Sequence, residues 1–161
     1  MAKCKYKYKN YPNKKCPHDA EPGSDYCKWH IKKDEKDFSG QKIKEKDLVE
    51  AYLVKANLSG AKFQKETDLS NSNIERANLL AAKLQGVNLS KSNLQGAYLI
   101  RANIEKADLN GANLKGADLP LAILKEANLS GVILHMANLS HADLYKSDLF
   151  SARIQVFKMQ L

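Results

Sequence analysis

The sequence predicts an all-β solenoid wound as a square coil, and three observations carry that prediction. From Leu69 to Ile154 every fifth residue is Leu or Ile, through 18 successive units. Two residues before each of these lies a small one, as at Ala77, Ala82, Val87, Ser92 and Ala97, with no exception from Ala51 to Ala152. The residue between them is usually Asp or Asn, as at Asn78, Asn88, Asn93, Asn103 and Asp108. The unit therefore reads A-(D/N)-L-x-x.

A period of five fits neither regular element. On an α-helix each step of five turns by about 140°, which scatters the leucines, and on a strand it alternates faces. If each unit instead forms one side of a square, the small and large apolar residues point inward and the other three positions face water. Asn, Asp, Ser and Gly suit the turn that then recurs every five residues. A shorter run in a shifted frame, Phe38, Ile43, Leu48, Leu53, Leu58 and Phe63, precedes the main one. The two frames differ by one residue inserted around Lys65–Thr67, where the coil is expected to bulge.

This pattern closely resembles the pentapeptide-repeat family over roughly residues 36–155. The resemblance implies a right-handed quadrilateral parallel β-helix with four units per coil, so that the 24 units make about six coils. At the ~4.8 Å spacing of neighbouring strands the rod is roughly 24–30 Å long. The expected organisation is a cap module over residues 1–35, the β-helix over 36–155, and a C-terminal segment over 156–161.

Side chains 20 apart then stack in columns. At the Asp/Asn position one column reads Asp47, Asp68, Asn88, Asp108, Asn128, Asp148, acidic or neutral throughout. A second reads Lys42, Lys62, Lys83, Asn103, Ile123, Asp143, basic near the N-terminal end. On a third face the residues just after each Leu are Ser39, Ser59, Leu80, Ile100, Pro120 and Ser140. With Tyr98 and Leu121 on the same face, Leu80, Ile100 and Pro120 form an exposed apolar stretch that suits a protein partner. Both ends of a solenoid need covering. At the C-terminus Phe157, Met159 and Leu161 are expected to close the last coil or to pair with a second copy as a homodimer.

All three cysteines, Cys4, Cys16 and Cys27, fall in the first 27 residues, and an odd number makes a poor disulfide framework. Metal ligation explains them better. Three Cys and one His is a usual structural zinc set, and Cys4, Cys16, Cys27 and His30 supply it. If the segment SDYCKWHIKK is a short helix capped by Ser24 or Asp25, Cys27 and His30 share one face. His18, two residues beyond Cys16, is the spare candidate. No open coordination position with a neighbouring base is visible, so the ion is expected to be structural, a clip for a segment too small to fold unaided.

The formal charge of +8 is unevenly placed: residues 1–18 hold six Lys and no acid. Lys3, Lys5, Lys7, Lys9, Lys14 and Lys15 interleave with Tyr6, Tyr8 and Tyr11, a mixture that suits phosphate contacts and base stacking as well as a solubilising surface. Nothing approaches the roughly 18 apolar residues of a membrane span, and the basic start has no apolar stretch behind it, so no membrane association and a cytoplasmic protein are expected.

Phosphate loops, nucleophile motifs and metalloprotease signatures are absent, and His135 and His141 sit at outward positions with no catalytic partner in the pattern. The chain reads as a non-enzymatic protein-interaction scaffold. The alternative is a nucleic-acid-associated protein that binds through the basic N-terminus, with Lys5, Lys7, Lys9, Lys14 and Lys15 as contacts. The family resemblance also brings in proteins that bind DNA gyrase by imitating duplex DNA. A net +8 departs from that pattern, leaving a topoisomerase-binding DNA mimic the least favoured reading.

Overall fold

The computed structural model describes residues 2–10, 15–32 and 34–154. From Asp37 onward the backbone pairs in parallel with the stretch one coil ahead, and four columns of six rungs result. One column runs Asp37, Asn57, Asn78, Tyr98, Asp118, Asn138, and another runs Tyr52, Asn73, Asn93, Asn113, Ile133, Arg153. The remaining two are the Asp47 and Lys42 columns, in the order the 20-residue count gives. Six rungs in each of four columns make a quadrilateral β-helix of six coils, right-handed in sense. Among the described residues two stretches pair for more than one residue, β1 (Lys42–Ile43) and β2 (Lys62–Phe63), in register Lys42 to Lys62.

One unit shows why the period is five. In the unit Ala97–Arg101, Tyr98 N donates to Ala77 O in the coil before (2.9 Å), and Leu99 N and Arg101 N donate to Asp118 O and Pro120 O in the coil after. Ala102 N then donates back to Leu99 O (2.9 Å) and closes the corner. The corner needs a left-handed residue, and Arg101 takes φ 56°. The same corner is left-handed in nearly every unit, in fifteen cases without glycine, at a cost of about 1–2 kcal/mol each. Ala97 and Leu99 are buried, as are their equivalents from Ala51 to Leu134. The helix interior is thus filled by alternating small and large apolar layers.

Most of the Asp and Asn residues between them are half-buried, and several are bonded both within the corner and to the next coil. Asn93 Oδ1 accepts from Gln95 N (3.3 Å) and from Asn113 Nδ2 one coil on (3.1 Å), while Asn93 Nδ2 donates to Asn73 Oδ1 (3.2 Å). This local bond holds the corner, and the amide ladder ties coil to coil.

The inserted residue lies where the frame shift requires. Rungs that span it pair at an interval of 21 rather than 20, as in Asp47 with Asp68 and Lys62 with Lys83. The corner moves one residue along: Thr67 N donates to Gln64 O, and Glu66 takes the left-handed place at φ 68°. The longer side pushes Lys65 over the next coil, where a Cβ on Gly86 would meet its Cγ at 3.0 Å.

At the first coil, Trp29 packs on Phe38 with ring centroids 4.8 Å apart, and Trp29 O accepts from Tyr52 N at 2.7 Å. Trp29 therefore stands where a preceding coil would place its small residue, compared with Ala51 O and Asn73 N one coil on. The segment SDYCKWHIKK does not form the expected helix. Residues 28–30 make a single turn in which His30 N and Ile31 N both donate to Cys27 O, and Ser24 Oγ accepts from Tyr26 N. The Trp29 carbonyl that a helix would need internally is spent on the solenoid. At the other end Leu149 and Ile154 are exposed on the last rungs. The expected cap or dimer residues Phe157, Met159 and Leu161 lie outside the described residues.

Candidate functional site

The N-terminal module folds as short antiparallel bridges, Lys3 with Asp19 and Lys7 with Lys15, which carry Cys4 and Cys16 to the Cys27–His30 turn. All four residues are buried, and their ligand atoms lie within 4.8 Å of one another. Cys16 Sγ is 3.7 Å from Cys27 Sγ, and His30 Nδ1 is 3.3 Å from the first and 3.2 Å from the second. No disulfide joins them. Such a set can hold a metal ion.

The surroundings orient these donors. His30 Nε2 lies 2.9 Å from Val49 O, a contact only an Nε2–H can make as donor, so the Nδ1 lone pair is left facing the sulfurs. A carbonyl behind a ligating imidazole fixes its tautomer and ring orientation in this manner. Cys27 N donates to Cys4 Sγ (3.2 Å). The Cys16 hydrogen bond and the neighbouring His30 lower the pKa of the Cys27 thiol, while contact with Cys27 and burial raise that of Cys16. Tyr6 stacks on His30 at 4.0 Å and Tyr8 meets the same ring edge-on. His18 is not in the cluster: its Nε2 lies 2.6 Å from Asp47 O. His18 and His30 thereby both fasten the module to the first coil.

Glu50 makes the third fastening, and the sequence pattern gives no hint of it. It occupies an outward corner position, yet it is buried and accepts from Tyr6 Oη (3.0 Å), Lys9 N (2.6 Å) and Asn10 N (2.7 Å). Burial first, and this bond second, push the Tyr6 hydroxyl up to about 12.

On the solenoid, Leu80, Ile100 and Pro120 stack in one column, with Tyr98 and Leu121 beside them on the same face. Leu80 (42%), Tyr98 (52%) and Leu121 (47%) are well exposed, and Ile100 and Pro120 half-buried. Lys5, Lys7, Lys9 and Lys15 are exposed, whereas Lys14 and Tyr11 lie outside the described residues. Tyr8 is only 2% exposed and Tyr6 is packed against His30, so both rings serve the cluster and Tyr8 offers no platform for bases. The Lys-Tyr alternation divides into outward lysines and inward tyrosines. Among the described residues no helix is long and apolar enough to cross a membrane.

No curated protein matches this chain. Among solved structures it is similar to the pentapeptide repeat protein Rfr23 of the cyanobacterium Cyanothece 51142, at 26% identity over 76% of this chain and 90% of that one, TM-score 0.33. It is also similar to a pentapeptide repeat protein of the Arabidopsis thaliana thylakoid lumen, at 32% identity over 63% and 66%, TM-score 0.37. HetL, a pentapeptide repeat protein involved in heterocyst differentiation regulation in Nostoc sp. strain PCC 7120, matches at 28% identity over 73% of each chain, TM-score 0.27. The family described as Pentapeptide repeats matches in eight copies, over residues 37–65, 65–99, 82–120 and 122–153. Those copies span the four columns and the corner that repeats every five residues, and the chain belongs to the pentapeptide-repeat family.

Proposed function

We propose that this protein is a non-enzymatic scaffold that docks a protein partner on the face of Leu80, Tyr98, Ile100, Pro120 and Leu121, with a structural zinc ion in its N-terminal module. The observation that carries the docking surface is the exposure of Leu80, Tyr98 and Leu121 on three consecutive rungs of one face. A backbone bonded coil to coil presents those side chains with little ordering left to do on binding, which favours affinity. Tyr98 interrupts an otherwise Asp/Asn column, Asp37 to Asn138, and puts an amphipathic ring beside the aliphatic groups. Aromatic residues of this kind anchor interfaces.

The zinc assignment rests on the donor set. At Zn–S distances of about 2.3 Å, tetrahedral sulfurs lie about 3.8 Å apart; Cys16 and Cys27 are 3.7 Å apart. Four buried protein ligands leave no coordination position for a substrate, which makes the ion a clip. A reducing compartment such as the cytoplasm suits three thiols that share no disulfide.

A photoreactive phenylalanine analogue in place of Tyr98, irradiated in the native cell, tests the docking surface. One dominant protein adduct, lost when Leu80→Lys and Ile100→Lys are introduced together, is the expected result. An adduct that survives both lysines, or none at all, overturns the assignment.

A further inference from the structure

Where the N-terminal module meets the solenoid, a cleft of about 450 Å³ opens, with Lys9 and Lys32 on the module side and Asn73 and Lys91 on the solenoid side. A second cavity of about 510 Å³ continues it along the module, sharing Tyr6, His30 and Lys32 and adding Lys5, Lys7 and Tyr26. Lysine ammonium groups and amides supply most of the polar lining, beside apolar surface from Ala51 and the tyrosine rings. Of the lining lysines Lys5 is paired, with Asp25, and outside the cavities Lys3 and Lys28 are paired with Asp19 and Glu45. Among the described residues no carboxylate pairs with Lys7, Lys9, Lys32 or Lys91. Glu50 is the acidic residue in the wall, and its oxygens are taken by Tyr6 and by the Lys9 and Asn10 amides.

A break in the amide ladder adds a further donor. Asn93 and Asn113 each pass Nδ2 to the Oδ1 one coil before. Below Asn73 the column holds Tyr52, which offers no carbonyl side chain, so Asn73 Nδ2 lines the cleft with no acceptor among the described residues.

We infer that this seam binds the phosphodiester backbone of a single-stranded nucleic acid. Unpaired ammonium groups and an amide donor select an anion with several acceptor oxygens. Two cavities in series carry cations at successive places, which suits a chain of phosphates rather than one. Tyr26, exposed and edge-on to Tyr6 at 6.5 Å, provides ring surface along the second cavity for bases that hang from such a strand. The site is independent of the apolar face, which lies on another column, and each stands if the other fails.

The test is fluorescence anisotropy of a labelled twelve-residue oligothymidylate with the zinc-loaded full chain, from 50 to 200 mM KCl. A salt slope of about 0.7 per phosphate contact, taken from 1 M down to 50 mM, makes each lysine worth roughly eightfold. Lys9→Gln, Lys32→Gln and Lys91→Gln are each expected to weaken binding by about that factor and to lower the slope by about 0.7. Lys146→Gln, far along the solenoid, is expected to change neither. Lys91 lies outside the metal module, so its variant keeps the reading clear of misfolding there. Absence of binding at 50 mM, a slope unmoved by Lys91→Gln, or saturation by inorganic tripolyphosphate without any binding of the oligonucleotide would each overturn the inference.

Discussion

Replacing Glu50 with Gln removes one charge and almost no volume at the point where the module is fastened to the first coil. Oε2 accepts from Tyr6 Oη and Lys9 N, and Oε1 accepts from Asn10 N at 2.7 Å. The amide of Gln offers a single acceptor oxygen and sets an NH2 against at least one backbone N–H. A hydrogen bond to a charged group is worth about 1.5–3 kcal/mol, and an orphaned buried donor adds its desolvation, for a combined loss of about 2–4 kcal/mol. At tenfold per 1.4 kcal/mol, hydrogen exchange of the Lys9 and Asn10 amides is expected to accelerate roughly 30- to 1,000-fold. Stability in a solenoid is passed between neighbouring repeats, so amides at Leu99 and Ile104 are expected to keep their protection. Mass-spectrometric exchange resolves both regions in one experiment. Exchange at Lys9 and Asn10 within threefold of the parent, or a loss spread evenly along all six coils, would refute the reasoning.

Three further outcomes follow from the same geometry. Leu99→Ala, at a fully buried layer in mid-rod, is expected to cost about 3–4 kcal/mol in guanidinium unfolding, since the coils above and below hold the cavity open. Asn93→Ala strands the Asn113 amide and the Gln95 N–H, and is expected to lower stability by about 1–2 kcal/mol in the same assay, most of it recovered by no isosteric replacement lacking both donor and acceptor. Because the Tyr6 hydroxyl is held near 12, above its unfolded value of 10.0, its contribution is complete below pH 10 and lost as pH rises towards 12. Absorbance titration in that window is expected to show Tyr6 ionising together with release of the module, and an ordinary midpoint near 10 would count against its burial.

The solenoid was legible because every unit repeats the same demands. The corner needs its left-handed residue, the interior alternates small with large, and Asp or Asn caps the turn, so four of the five positions recur with distinct demands. Counting in twenties placed Leu80 under Ile100, and the frame shift located the inserted residue around Lys65–Thr67, where Lys62 pairs with Lys83 at an interval of 21 and Thr67 N closes on Gln64 O. The junction was not legible. Glu50 has the sequence position of a solvent-facing corner, and only the aperiodic loop folded over it buries the carboxylate. The helix expected around Cys27 failed for a related reason: nothing local reveals that Trp29 O is claimed by Tyr52, 23 residues on. Cysteine and histidine types and the three-residue spacing of Cys27 and His30 identified the ligand set, with His18 as the spare, and the structure brings those four together while His18 turns to the Asp47 carbonyl.

In the proposed arrangement a zinc ion holds Cys4, Cys16, Cys27 and His30 together against the first coil. X-ray absorption at the zinc edge, on protein purified without added metal, reads that arrangement directly. One zinc per chain with three sulfurs at about 2.3 Å and one nitrogen at about 2.0–2.1 Å is the predicted result. A chain that carries no zinc, or a shell containing oxygen or only two sulfurs, would contradict it.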